Sequence, residues 1–197
     1  MKPTTTVAGS TKDRVRTTPE GTFLRRKDFA GSGGAVETAL SRLVSGGELV
    51  RVRPGVYWVG KRTRFGMAPP SAFETALEVA GLGAGPAGVA AARVLGLTTQ
   101  VPSVVEVAVP GKAPDPVPGI RFRSRSYVRR EHGLTPTEVA VIETLRDPHS
   151  SEEDWSEIAK RVSDLVTEGV VRKDVLDEVI GEERHRAARE RWRLVAM

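Results

Sequence analysis

The chain has no cysteine among its 197 residues. That excludes disulfides, a thiol nucleophile and any Cys-ligated zinc or iron–sulfur site, and it fits a reducing cytoplasm. Aromatic residues make up 5% and hydrophobic residues 39% of the chain, little for a single large core and better suited to a small domain joined to a helical partner domain. No apolar run reaches the roughly 18 residues of a membrane span, so no membrane partner is expected. The opening MKPTTTVAGSTKDRVRTTPE has no apolar core and does not read as a secretory signal. Histidine is scarce as well: His132, His149 and His185 lie in different segments. None has a companion at metal-ligand spacing, so neither a metal nor a cofactor is expected.

Charge is plentiful, and its distribution says more than its sum. Residues 1–64 hold 13 Lys/Arg against 5 Asp/Glu, and residues 135–197 hold 10 against 15, within a net charge of +5. A basic N-terminal part joined to an acidic C-terminal part suits a nucleic-acid reader with a separate task at its other end. An Arg-rich genome bias would also make a chain basic.

Three domains are expected. Residues 1–19 are Thr-rich and thin in apolar side chains, and they read as a flexible basic arm. Residues 20–64 are the most specific stretch. A first helix is expected over 24–30, exposing Arg25, Arg26 and Lys27. Gly31-Ser32-Gly33-Gly34 then breaks it. In 35–45, Val36, Ala39, Leu40, Leu43 and Val44 fall on one side of a helix. The opposite side carries Glu37, Thr38, Ser41, Arg42 and Ser45. Short polar groups permit close approach to a major groove, and Arg reaches guanine O6 and N7. Residues 48–59 read as a hairpin with a turn at Arg53-Pro54-Gly55-Val56. Arg51 and Arg53, two apart, should share a face, and Lys61, Arg62 and Arg64 follow at once.

That order is the order of a winged helix-turn-helix, which reads duplex DNA with one helix and braces on phosphates with its hairpin. The candidate DNA contacts are therefore Arg25, Arg26, Lys27, Ser32, Gly33, Thr38, Ser41, Arg42, Arg51, Arg53, Lys61, Arg62 and Arg64. An ordinary surface helix beside an edge hairpin kept soluble by charge has the same pattern.

The third domain, 65–197, should begin after a Gly66–Pro70 linker. A helix over 71–80 opens at Ser71-Ala72-Phe73-Glu74, and a second begins at Pro86 and runs through Ala90, Ala91 and Val94. Strands at 104–109 and 120–125, joined by a Pro-rich loop, suggest an antiparallel hairpin or part of a small sheet. Arg121, Arg123 and Arg125 alternate along the second strand, giving a second phosphate-facing surface, a docking face for an acidic partner, or a solvated face. The remainder reads as helices opening at a capping box, Thr135-Pro136-Thr137-Glu138, and near Ser151, then over 172–180 and 182–195. The expected fold is α+β, an N-terminal winged helix-turn-helix followed by a mainly helical domain with a small antiparallel sheet.

No constellation points to catalysis. The run Gly81 to Gly88 has GxGxxG spacing but lacks a preceding strand and a ribose-binding acid, so it reads as a flexible loop between helices. Glu152-Glu153-Asp154 is a candidate metal cluster or, more simply, the acidic first turn of a helix. The chain is not expected to be an enzyme.

The words AVETALSRLVSGGELVRVRPGVYWV, the 71–80 helix, AARVLGLTTQVPSVVEVAV and GIRFRSR together resemble the AbiEi-type antitoxins of type IV toxin–antitoxin systems, and within them a short DUF6088-like subgroup. The resemblance covers roughly residues 20–180. It implies a protein that represses its own operon at inverted repeats, with two copies possible on one operator. It also implies a C-terminal domain that counters a nucleotidyltransferase-like toxin, with 35–45 as recognition helix and Arg51–Arg53 as wing. The chain is shorter at its C-terminus than the long antitoxins. Two other readings stand beside it. One is a free-standing regulator whose residues 65–197 dimerise or sense a ligand. The other is an interaction module, or an atypical nuclease, that uses the helix-turn-helix for protein contact.

Overall fold

The computed structural model describes residues 6–195; residues 1–5 of the expected arm lie outside the described residues. Helices and small sheets share the chain, which makes the fold α+β. It divides into two compact units, residues 1–71 and 72–197.

The first unit opens with α1 (Val7–Thr17), where an arm was expected. Thr6 caps it by accepting a hydrogen bond from the Gly9 N–H at 3.2 Å. Its few apolar side chains suffice because Val15 inserts into the core. β1 (Thr22–Arg25) replaces the helix expected over 24–30, of which one 3-10 turn at Arg26–Asp28 remains. Pairing with a distant strand overrides local propensity here, since Leu24 sits opposite Tyr57 and both are buried.

The helix α2 (Gly33–Ser45) forms as its stripe predicts, burying Val36, Ala39, Leu40 and Leu43. β2 (Val50–Arg53) and β3 (Val56–Val59) close the hairpin, and Gly55 takes the positive φ of 75° that its turn requires. The sheet order is β1-β3-β2, antiparallel throughout. Beyond it, β4 (Arg62–Thr63) pairs with β5 (Gly66–Met67), so the first residues of the expected linker belong to a second, two-stranded ribbon. The base of this ribbon is tied down by the Trp58 indole N–H, which donates to the Ala68 carbonyl at 3.0 Å.

In the second unit, α3 (Ala72–Ala80) leads to β6 (Gly85–Ala87) and α4 (Val89–Val94). Pro86 is thus a strand residue, and the helix starts three residues later than expected. Residues 81–88 are not a flexible loop. A side chain on Gly85 would meet Val139, and one on Gly83 would meet the Arg129 backbone, so these glycines permit close packing.

β7 (Val105–Pro110) pairs antiparallel with β6 but parallel with β8 (Ile120–Arg125). The sheet is therefore mixed, and the expected antiparallel pairing of 104–109 with 120–125 is corrected. Its cause is the connection: Pro114, Pro116 and Pro118 favour extended chain, which at about 3.1 Å per residue carries the backbone back along the strand instead of reversing it in a tight turn.

The helices α5 (Val128–Glu131), α6 (Pro136–Arg146), α7 (Trp155–Thr167), α8 (Lys173–Glu182) and α9 (Arg186–Val195) complete the unit. α6 is its centre, with every residue from Glu138 to Leu145 buried. Three groups from other elements, Arg125, Arg129 and Glu183, meet Glu143 and Arg146 of α6 there in an ionic network. The fully buried Arg129 guanidinium donates to Glu143 at 2.8 Å and to Glu183 at 2.6 Å. Arg125 forks onto Glu143 at 2.8 and 2.6 Å, and Arg146 reaches Glu183 at 2.7 Å. Burial raises the Glu143 pKa, but the Arg125 and Arg129 guanidiniums outweigh it and hold the carboxyl below its usual range.

At the start of α6, Thr135 and Glu138 form the expected capping box. Glu138 also accepts from the Arg172 guanidinium at 2.6 and 2.7 Å. Burial opposes ionisation, yet Arg172 and the backbone N–H groups of Thr135 and Arg172 bring the Glu138 carboxyl from 4.5 down to about 2. A carboxyl that titrates lower in the fold stabilises it fully above its unfolded value, and that contribution is lost as the pH falls toward the folded value. Urea unfolding between pH 6 and 2 should accordingly show Glu138→Gln less stable than wild type at pH 6, by about 1–3 kcal/mol, with the gap narrowing as the pH falls from about 4.5 toward 2. A gap independent of pH would contradict the ionic role.

Candidate nucleic-acid interface

The stripe that seats α2 on the core turns the other side outward, and Thr38, Ser41 and Arg42 are exposed there. Thr38 turns its hydroxyl back onto the Gly34 carbonyl at 2.9 Å, which leaves its methyl as the group with no hydrogen bond to make on this exposed face. Arg42 has no ion-pair partner among the described residues. Ser32 stands at the N-cap without a side-chain capping bond, exposed before the half-buried Gly33. The Arg26 guanidinium lies over Gly33, where a Cβ would project, so a side chain there would displace the guanidinium.

Arg26 and Arg51, read as separate phosphate contacts, come together around Glu37. Each guanidinium lies 3.9 Å from its carboxylate, and the Tyr57 hydroxyl donates to it at 3.1 Å. Burial, helped by that bond, pushes the Tyr57 phenol up. Glu37 was read only as part of a polar helix face. Its role as a hub depends on Arg26 and Tyr57, which sit 11 and 20 positions away, and no local pattern signals it.

Arg51 and Arg53 do not share a face. The ladder slips between them, with Arg51 opposite Tyr57 and Arg53 opposite Val56. The β-bulge at Val52 turns Arg53 to the other side of the hairpin, where it is half-buried. Arg25 lies at the end of β1, its backbone N–H held by the Asp28 carboxylate at 2.7 Å, and Lys27 is exposed on the following turn. Lys61, Arg62 and Arg64 are exposed on the β4–β5 ribbon, and Arg64 stacks over the Phe65 ring at 4.6 Å from its centroid. Phe65 was absent from the sequence reading, although an aromatic inside RTRFG is the kind of residue a basic turn does not need for folding.

The arginines of β8 belong to the second unit and are ion-paired within it. Arg121 and Arg123 both donate to Glu106, at 3.1 and 2.6 Å, and hold its carboxyl below the usual range. Arg125 is committed to Glu143. The parallel register sets Glu106 opposite Arg121, which an antiparallel reading could not foresee. The acidic run divides its labour similarly. Asp154 caps α7, while Glu152 accepts from Thr98, Thr99 and Gln100 and ties their loop to the helix start. Among the described residues no cluster of three His, Cys, Asp or Glu is placed to hold a metal. Nor is any helix among them long and apolar enough to cross a membrane.

Residues 10–117 match the model of DUF6088, a family of unknown function. No curated protein matches the chain. Among solved structures, the crystal structure of the RV2827C protein from Mycobacterium tuberculosis is similar at a TM-score of 0.49 and 14% identity, over 94% of this chain and 74% of that one.

The Glu37 hub carries a direct test. On duplex DNA at low salt, Glu37→Gln should bind about 2- to 10-fold tighter than wild type, because it removes a negative charge and frees two guanidiniums for phosphate. Weaker binding at unchanged melting temperature would show that Glu37 positions the arginines productively rather than restraining them.

Proposed function

We propose that this chain, which belongs to the DUF6088 family, is a cytoplasmic DNA-binding antitoxin without enzymatic activity. Its first unit acts as a winged helix-turn-helix that represses its own operon, and its second unit counters a nucleotidyltransferase-like toxin. The observation that carries the DNA half is the set of exposed cations without ion-pair partners among the described residues, Lys27, Arg42, Lys61, Arg62 and Arg64. They occupy a unit whose first 64 residues hold 13 Lys/Arg against 5 Asp/Glu. Unneutralised cations on a small domain cost self-repulsion, which a polyanion relieves.

The element order supports the same reading. α1, β1, a 3-10 turn, α2 and the β2–β3 hairpin run as in a winged helix-turn-helix, with α2 in the place of the recognition helix and the hairpin and the β4–β5 ribbon in the place of wings. The toxin half rests on the sequence resemblance to AbiEi-type antitoxins. The ion pairing of Arg121, Arg123 and Arg125 disfavours a second phosphate surface, so the second unit is assigned to the protein partner.

One observation favours a second reading. An apolar groove of about 340 Å³, lined by Phe73, Ala90, Val94, Val101 and Pro102, opens on the second unit, within the size range of small-molecule sites. That suits a free-standing regulator whose second unit senses an apolar ligand.

The test separates the two units. With the DNA upstream of its own gene as probe, Arg42→Ala should lose about 1–3 kcal/mol of binding. Co-expressed with the neighbouring gene, the same variant should still protect growth. Loss of protection with binding intact would overturn the division of labour. Absence of toxicity from the neighbour would move the assignment to the free-standing regulator.

A further inference from the structure

Phe65 is 86% exposed, more than any other large hydrophobic residue described, whereas Phe23, Phe29, Phe73 and Phe122 are all half-buried. It sits at the tip of the β4–β5 ribbon, where the pairings Arg62 with Met67 and Thr63 with Gly66 leave Arg64 and Phe65 as the turn. The tip is braced. The Thr63 hydroxyl donates to the Gly66 carbonyl at 2.7 Å and accepts from the Phe65 N–H at 3.2 Å. At the base, the Ala68 N–H donates to the Lys61 carbonyl at 2.9 Å. The ring is therefore presented to solvent on a braced turn, with Arg64 stacked over it and Lys61 and Arg62 exposed along the chain that leads to it.

An exposed aromatic at the tip of a ribbon whose leading side carries three cations is a poor site for an ordinary apolar protein partner, because burying it would desolvate charge without compensation. It suits a surface that is polyanionic outside and apolar just beneath. Duplex DNA is such a surface, with phosphate rows bordering the minor groove and, behind the base edges, stacked apolar base faces that a wedge can reach by opening a step. Proteins that bind there insert Phe or similar wedges between base steps and hold the flanking phosphates with Arg and Lys. The minor groove, about 6 Å wide, admits one ring and not the body of a two-stranded ribbon. A single aromatic at the tip is what such a groove can take.

We propose that Phe65 is a DNA wedge: it enters the minor groove, partly unstacks a base step and bends the duplex, while Lys61, Arg62 and Arg64 hold the phosphates on either side. The inference rests on the first unit's binding duplex DNA and adds to it a deformation that α2 alone would not produce. Steps that unstack easily, such as TpA, are the favoured targets, so operator preference extends to positions no side chain reads by hydrogen bonding.

The test uses the full chain and a short duplex carrying 2-aminopurine at a central TpA step, with dyes at its ends. Wild type should raise the 2-aminopurine fluorescence and shorten the end-to-end distance. Phe65→Ala should keep salt-dependent binding at about tenfold lower affinity and lose both signals, with its melting temperature unchanged. If Phe65→Ala bends and unstacks the duplex as wild type does, the wedge is wrong and DNA binding stands. If wild type binds no duplex at low salt, the underlying DNA reading fails as well. Binding instead to phosphatidylglycerol vesicles, lost in Phe65→Ala, would reassign the tip to a lipid surface.

Discussion

Burial of one stripe on α2 governs what the first unit can do. Val36, Ala39, Leu40 and Leu43 are buried against the core formed with α1 and the β1-β3-β2 sheet, and turning them outward would forfeit about 25 cal/mol per Å² of apolar surface. Once the stripe is seated, Thr38, Ser41 and Arg42 must face solvent. Placement of the polar face is thus a consequence of core packing, and it needs no dedicated scaffold. The electrostatics are built on this frame. Glu37, at the edge of the stripe, gathers Arg26, Arg51 and Tyr57 loosely enough for the guanidiniums to be recruited by a phosphate.

The second unit solves its charge problem in the opposite way. Arg129 lies fully buried between Glu143 and Glu183, and Arg125, Arg146 and Arg172 are fixed on carboxylates of α6 and the residue after α8. Buried ion pairs of this kind cost desolvation and add little net stability, but breaking one is expensive. They tie β8, α5 and α6 into one arrangement. Among the described residues, the first unit leaves Lys27, Arg42, Lys61, Arg62 and Arg64 open, whereas the second closes the arginines at its core on carboxylates and leaves open Arg93, Lys112, Arg184 and Arg193. Over 135–197, moreover, acidic residues outnumber basic ones. This difference supports DNA for the first unit and a protein partner for the second.

What could be read from the sequence was local. The α2 stripe, the Pro54-Gly55 turn and the Thr135–Glu138 capping box are set within a few residues and were legible. What was missed is decided by distant pairing. Thr22–Arg25 carries no strand signature and becomes a strand because Val56–Val59 lies beside it. The β7–β8 pair is parallel because its proline-rich connection will not reverse the chain, and with that register comes the pairing of Arg121 and Arg123 with Glu106. At the candidate site the cations were legible as residues. The bulge separating Arg51 from Arg53, the Glu37 hub and the presentation of Phe65 depend on the folded ladder.

The central claim is that the open cations of the first unit meet phosphate. Its most direct test is the affinity of the full chain for duplex DNA as a function of salt. If six or more phosphates are engaged, affinity should fall about 10³-fold or more between about 50 and 200 mM salt. An affinity that barely changes over that range, or none at low salt, would contradict the account.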